Sequence, residues 1–174
     1  MARTWQFQAE KFAEEIYPYI KRKLSSDNYD GDFCKALRSV VEKYRRYKNP
    51  RIEMDWGATR VCIIGSNFVL KFDYGKTDLF GGCYDEYLTY KKAKEDGYSH
   101  LFAKCRYFVK HGFSFFAMEK IDHIGETTLF EANWTEDEID YVDSNVRDLH
   151  FMNFGVRDGY GVVIDYAASN DEGT

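Results

Sequence analysis

The stretch that most limits the fold of this chain is "RIEMDWGATRVCIIGSNFVLKFDYG", which begins directly after Pro50. It is rich in β-branched and aromatic residues, and its apolar runs "VCII" and "FVLKF" stand on either side of the turn-forming "GSN". Apolar runs separated by so short a turn are typical of a β-hairpin. The stretch therefore predicts three strands, at about residues 51–55, 60–64 and 68–74.

The next segments continue this pattern with one helix and two more strands. "CYDEYLTYKKAKED" is helical in composition, and Gly97 marks its end. "LFAKCRYFVKHG" and "FSFFAMEKID" are predicted to be strands joined at His111 and Gly112. The order β-β-β-α-β-β predicts an α+β fold built on a five-stranded antiparallel sheet.

Helices are predicted before and after this segment. Apolar residues three and four positions apart predict one amphipathic helix over about residues 5–24, which Pro18 is expected to kink or break, and a second over about residues 33–47. Thr135, three residues before Glu138, forms a capping-box pattern that predicts a short helix. The second helix has a basic face formed by Lys43, Arg45, Arg46 and Lys48. This face is either a solvated surface or a docking surface for an acidic partner.

Charge is distributed unevenly and excludes some classes of function. Residues 1–52 hold 12 Lys and Arg against 7 Asp and Glu, whereas residues 121–174 hold 2 against 13. The net charge of −5 argues against general nucleic-acid binding, while the acidic C-terminal third suits metal ions or a basic partner. No apolar stretch is long enough for a membrane span or a signal peptide, and no C-x-x-C pair suggests zinc. We therefore expect a cytoplasmic protein with reduced thiols.

Lys71 stands inside the apolar run "FVLKF". It is either an edge-strand lysine that points to solvent or a buried lysine, which needs a partner because burial of an unpaired charge is costly. Glu86 follows 15 positions later on the predicted helix, and a helix packed on the sheet could bring it to Lys71.

Three further polar residues lie near the end of the chain, in "VRDLHFMNFGVRDGYGVVIDYA". Asp148 and Asn153 lie in an irregular loop, and Asp165 follows the short apolar strand "VVI", which comes after the turn "RDGYG". Oxygen ligands of this kind suit Mg²⁺, and a separate carboxylate could orient or deprotonate a hydroxyl. Taken singly, each of the three is better explained as a loop cap or a strand-end residue.

The five residues together, in this order, resemble the protein kinase-like superfamily, which includes the aminoglycoside and other small-molecule phosphotransferases. "RDLHFMN" is similar to the catalytic loop, especially in its phosphotransferase form "DLHxxN". "IDYA" stands where the family has its metal-binding Asp motif, with Tyr166 and Ala167 in place of Phe and Gly, and "FAMEKID" resembles the hinge that holds adenine. The short form of the chain is also similar to small kinase-like proteins of bacteriophages, which would place it in the host cytoplasm.

The resemblance implies a role for each matching position, with ATP and Mg²⁺ as cofactors. Lys71 would contact the α- and β-phosphates, steadied by Glu86, and Asp148 would orient or accept the proton of the substrate hydroxyl. Asn153 and Asp165 would hold Mg²⁺. In the reduced glycine loop, Gly57 and Arg60 would contact the nucleotide. In the hinge, Met118 would border the adenine, and the backbones of Glu119 and Ile121 would bind its edge.

The chain departs from the family pattern in three places. The glycine loop is reduced to "DWGATR", only 26 residues separate Ile121 from Asp148, and the sequence ends shortly after Asp165. We therefore expect a helical extension at residues 1–50, an N-lobe at 51–121 and a strongly reduced C-lobe at 122–174. The extension would either cover the N-lobe or replace part of the packing of the missing lobe.

Three functions are consistent with these residues. The first is a minimal phosphotransferase that acts on a protein or small-molecule hydroxyl. The second is a pseudokinase that acts by contacting a protein partner, for example a host factor, through the basic N-terminal helices or the acidic C-terminal third. The third is an unrelated α+β domain without a nucleotide site. A lobe this small would leave apolar surface uncovered, which would favour dimerisation.

Overall fold

The computed structural model describes residues 4–25, 33–56, 60–73, 82–110, 113–123, 133–146, 149 and 153–166. Within them the protein is an α+β fold with four α-helices and eight strands. The helices are α1 Trp5–Leu24, α2 Phe33–Tyr47, α3 Gly82–Glu95 and α4 Glu136–Asn145. The strands are β1 Glu53–Trp56, β2 Arg60–Ile64, β3 Phe68–Asp73, β4 Cys105–Lys110, β5 Phe113–Glu119, β6 Asp122–His123, β7 Phe154–Arg157 and β8 Tyr160–Val163.

The first five strands form one antiparallel sheet in the order β1-β2-β3-β5-β4, which confirms the predicted sheet. The turn between β2 and β3 is closed by a hydrogen bond from the Gly65 amide to the Phe68 carbonyl, at 2.8 Å. Because β3 also pairs with β5, β3 is the central strand of the sheet.

One face of this sheet packs against α1 and α2. Alternate residues of a strand point to opposite faces, and Phe68, Leu70 and Phe72 of β3 belong to one core cluster with the buried face of both helices. The ring of Phe12 lies 5.7 Å from that of Phe68. The N-terminal helices therefore cover the sheet, and they do so on the face opposite to Lys71.

Pro18 was expected to kink or break α1, and the structure shows that the break is wrong. The helix continues from Trp5 to Leu24 with Pro18 inside it. A proline has no amide to donate to the carbonyl four residues earlier, which costs helical stability. The burial of Ile16, Tyr17 and Ile20 around it offsets that cost, since tertiary packing contributes most of a helix's stability in a folded protein.

The contacts between residues divide the chain into two compact units. The first contains Met1–Lys76 and Tyr107–Lys120, and the second contains Thr77–Arg106 and Ile121–Thr174. The chain thus leaves the first unit after β5, between Lys120 and Ile121. The division predicted at residues 50 and 121 follows the kinase-like resemblance, and this grouping by contacts does not test it.

The second unit contains α3, α4 and the small antiparallel sheet β6-β7-β8. The turn between β7 and β8 is formed by Asp158 and Gly159, with φ of 54° and 81°. Two consecutive positive φ values match the right-handed twist of a hairpin, and a central Asp-Gly pair adopts them readily. The turn predicted from "RDGYG" is confirmed, whereas β6 and β7 were not predicted.

The start of α4 is fixed by a polar cluster around Glu138. The predicted capping box is present, because the Thr135 hydroxyl accepts from the Glu138 amide and the Glu138 carboxylate accepts from the Thr135 amide. That carboxylate also lies 2.6 Å from His100 Nε2 and accepts from the Tyr160 hydroxyl at 2.9 Å. Burial alone would raise the pKa of Glu138, but these hydrogen bonds outweigh it and lower the pKa to about 2.

This cluster predicts a loss of stability in acid. A carboxyl whose pKa is lower in the folded state stabilises the fold above its unfolded pKa, and the contribution disappears as pH falls towards the folded value. Between pH 5 and pH 2 the wild type should therefore lose about 2 kcal/mol more unfolding free energy than Glu138→Gln. Denaturant titrations at several pH values measure this difference. Glu136→Gln, an exposed position in the same turn, should retain the wild-type slope. Equal slopes for Glu138→Gln and the wild type would contradict the prediction.

No helix in the described part of the chain is long and apolar enough to cross a membrane.

Candidate functional site

Lys71 lies in the middle of β3, opposite Cys62 of β2 and Phe116 of β5. It is only 6% exposed, and its Nζ lies 5.9 Å from the centre of the Phe116 ring, within the range of a cation–π interaction. The interpretation of Lys71 as an edge-strand lysine that points to solvent is therefore wrong.

The predicted hinge strand lies directly beside the lysine strand. Met118 is buried on β5 and pairs with Val69, two residues from Lys71 on the same face. Half-buried Glu119 pairs with Phe68 at the end of β5. The Lys120 amide donates to the Asn67 carbonyl at 3.1 Å, just before the chain leaves the first unit. The structure thus brings the predicted phosphate-binding lysine and the predicted adenine-binding segment onto neighbouring strands.

The remaining nucleotide-binding candidates lie at the ends of strands. Arg60 begins β2, where it is half-buried and pairs with Asp73 of β3. Ile121, also half-buried, follows β5 and approaches β7, since a Cβ added to Gly155 would lie 2.5 Å from Ile121 Cγ2. Gly57 lies outside the described residues, as does Asp148.

Glu86 lies on α3 in the second unit and is fully buried. It acts electrostatically on Tyr166, which is also fully buried. Burial raises the pKa of the Tyr166 phenol well above its usual value, and Cys105 and Glu86 raise it further. The phenol therefore stays protonated and acts as a hydrogen-bond donor, and the carboxylate of Glu86 lies near the segment that carries Asp165.

The structure also brings together the backbones of the two predicted magnesium ligands. Asn153 directly precedes β7, and its carbonyl accepts from the Ile164 amide at 2.8 Å. Asp165 is the next residue after Ile164. Asn153, 8% exposed, and Asp165, half-buried, thus lie at the same end of the β7–β8 hairpin. Their amide and carboxylate oxygens are donors that suit a hard cation.

Apart from tyrosines and cysteines, only three polar or charged side chains are buried in the described part of the chain, and they are Lys71, Glu86 and Asn153. The sequence had singled out all three. Burial of a charged group costs several kcal/mol unless it is well compensated, so a small domain retains few such groups. Buried ionisable groups concentrate at functional sites, although structural ion pairs can also bury charge.

The two units hold different parts of the predicted site. The first unit holds Lys71, Met118 and Glu119, and the second holds the residues of α3 and of the β7–β8 hairpin. No group of three or more His, Cys, Asp or Glu side chains that could hold a metal ion is found among the described residues. The predicted magnesium site is not a group of this kind, because it uses an asparagine and a single described aspartate.

Sequence reasoning gave Tyr166 no role beyond its replacement of the usual Phe. It is the largest fully buried side chain in the described part of the chain, and its hydroxyl donates to the Ala103 carbonyl at 2.8 Å. The sequence feature that could have indicated a role for Tyr166 is its position directly after Asp165, at the end of an apolar strand.

Comparisons with known proteins gave no relative. A scan against protein-family models found no match, and searches of the curated proteins and of the solved structures found none of significant similarity.

Proposed function

We propose that this protein is a minimal kinase-like phosphotransferase that binds ATP and Mg²⁺ and transfers the γ-phosphoryl group to a hydroxyl acceptor. The observation that carries the proposal is the identity of the buried polar side chains. Tyrosines and cysteines aside, the three that the described residues bury are the lysine, the glutamate and the asparagine of the kinase-like motif set. A nucleotide site would account for the burial of all three side chains together.

The arrangement within each unit supports the same proposal. In the first unit, the strand of Lys71 lies beside the strand that leads to the hinge segment. In the second unit, the pairing of Asn153 with Ile164 places Asn153 and Asp165 at one end of a hairpin. A kinase-like site needs both arrangements, one for the phosphates and adenine and the other for the metal.

The proposed roles follow from the chemistry of phosphoryl transfer, in which positioning and electrostatic stabilisation supply most of the catalysis. The acceptor oxygen bonds to the γ-phosphorus as the bond to the β-phosphate oxygen breaks, and ADP leaves. Asp148 orients the acceptor and takes its proton, and Lys71 balances charge on the α- and β-phosphates. Asn153 and Asp165 would hold Mg²⁺, which neutralises charge on the phosphates when it is bound.

A second candidate is a pseudokinase, which binds nucleotide and contacts a protein partner without transferring phosphate. The surface of α2 favours it, because the helix exposes five cations and only one acidic residue, Glu42, which pairs with Arg38. Trp56 on the adjoining strand is 40% exposed, and Arg38 lies over its ring. This surface would suit an acidic protein segment, and the candidate predicts nucleotide binding without transfer. The five exposed cations are Lys35, Arg38, Lys43, Arg45 and Arg46.

Thermal unfolding with and without Mg²⁺-ATP tests the proposed site. A ligand at 100 times its Kd adds about 2.7 kcal/mol of stability, which should raise Tm by about 5–10 °C in a domain of this size. Asp165→Asn should lose the Mg²⁺-dependent part of the shift. Asp158→Asn is the matched control, because it makes the same change at the other end of the hairpin, where asparagine tolerates the positive φ.

The result decides between the candidates. No shift at any concentration of nucleotide or metal would overturn both nucleotide-binding functions. A shift accompanied by transfer from labelled ATP would support the phosphotransferase, and a shift without transfer to protein or small-molecule acceptors would favour the binding protein.

A further inference from the structure

The segment Val163–Tyr166 is attached to the rest of the second unit by at least three hydrogen bonds. The Ile164 amide donates to the Asn153 carbonyl at 2.8 Å, and the Ala103 amide donates to the Val163 carbonyl at 2.8 Å. At the far end, the Tyr166 hydroxyl donates to the Ala103 carbonyl, also at 2.8 Å. Asp165 lies between the second and third of these attachments, so its backbone is fixed on both sides.

The two attachments at Ala103 come from different parts of the segment. Ala103 uses its amide to bind Val163 and its carbonyl to bind the Tyr166 side chain, while Phe102 forms a parallel bridge with Val163. The Phe102 ring also packs edge-on against Tyr166, with 5.1 Å between the ring centres. Both Phe102 and Ala103 are fully buried, so water cannot easily replace these contacts.

We propose that the Tyr166 hydroxyl is a latch that holds Asp165 in a single, metal-competent position. A phenylalanine here would keep the ring packing but would lack the bond to Ala103, and the segment after Val163 would be held at fewer points. The tyrosine therefore makes Asp165 preorganised, so that no rearrangement is needed when Mg²⁺-ATP arrives. This positioning role rests on the proposed function, because it assigns Asp165 to the metal.

Tyr166→Phe tests the latch, since it removes one hydroxyl and leaves the ring in place. The first measurement uses the protein alone: hydrogen exchange of the Ala103 and Ile164 amides should become about tenfold faster, as expected for the loss of one buried hydrogen bond. The second compares nucleotide affinity with Mg²⁺-ATP and with ATP in EDTA. The affinity for Mg²⁺-ATP should fall about tenfold, and the affinity for metal-free ATP should stay unchanged.

Tyr141→Phe is the matched control. It removes a phenol hydroxyl from the same unit, where that hydroxyl donates to Asp96 at 2.8 Å and not to Ala103. It should change neither the exchange of the two amides nor the Mg²⁺ dependence. A general effect of tyrosine loss on stability would appear in both variants and would be recognised as such.

The outcomes separate the latch from the proposed function. Unchanged amide exchange in Tyr166→Phe would overturn the latch, whatever the nucleotide affinity of the variant. Faster exchange with unchanged Mg²⁺-ATP affinity would overturn the positioning role of Tyr166. Failure of the wild type to bind Mg²⁺-ATP would overturn the proposed function and the metal role of the latch together, and the exchange data would still decide whether the segment is latched.

Discussion

Replacement of Asp148 by asparagine is expected to lower the rate of phosphate transfer by about 10³-fold, within the range that general acid–base catalysis supplies. Asparagine has nearly the same shape but cannot accept the proton of the acceptor hydroxyl. The proposed role of Asp148 concerns the acceptor and not the nucleotide, so the affinity for Mg²⁺-ATP should change by less than about threefold.

Single-turnover transfer from labelled ATP, measured beside nucleotide affinity, checks this separation. Asp143→Asn serves as the control, because it makes the same substitution at an exposed position on α4. Transfer that survives Asp148→Asn would remove Asp148 from the catalytic role. A parallel loss of nucleotide affinity would instead place Asp148 at the metal, next to the roles proposed for Asn153 and Asp165.

The second large effect is expected for stability, from Lys71 and Glu86. The resemblance to the kinase-like superfamily implies that Glu86 steadies Lys71, and both side chains are buried. Removal of one member of a buried ion pair leaves an uncompensated charge and typically costs about 3–5 kcal/mol. Lys71→Met and Glu86→Gln should each reach this range if the two residues are partners.

The double variant distinguishes partnership from two independent effects. If the residues are paired, the double variant should lose less unfolding free energy than the two single variants lose together, by at least about 1 kcal/mol. Lys110 and Glu14, which pair at 2.9 Å with side chains 34% and 51% exposed, provide a matched cycle. Lys110→Met with Glu14→Gln should show a coupling below about 1 kcal/mol. Additive effects of Lys71→Met and Glu86→Gln would refute the pairing.

The prediction for Lys71 and Glu86 depends on residues that the sequence singles out and on burial that only the structure shows. In the sequence, Lys71 is compatible with an exposed edge strand as well as with a buried site. The strand order decides between them, because β3 pairs on one side with β2 and on the other with β5. A partner as distant in the chain as β5 cannot be assigned from the local pattern of "FVLKF".

The helices, the first five strands and the β7–β8 turn were predictable because their signals are local. The spacing of apolar residues in α1, the Thr135–Glu138 capping box and the Asp158-Gly159 turn each depend on residues only a few positions apart. Such signals determine which backbone hydrogen bonds can form within a short segment. The two-residue strand β6 carries too short a pattern to be predicted in this way.

By itself, the sequence determined the order of most elements and the identity of the polar residues that stand out from apolar surroundings. Tertiary structure alone decided which face of the sheet the N-terminal helices cover, and that Tyr166 reaches the Ala103 carbonyl, 63 positions away. It also decided that Gly155 lies so near Ile121 that a Cβ there would stand 2.5 Å from its side chain. The physical reason is that packing depends on the shapes of surfaces from distant segments, whereas periodicity, caps and turns are properties of neighbouring residues.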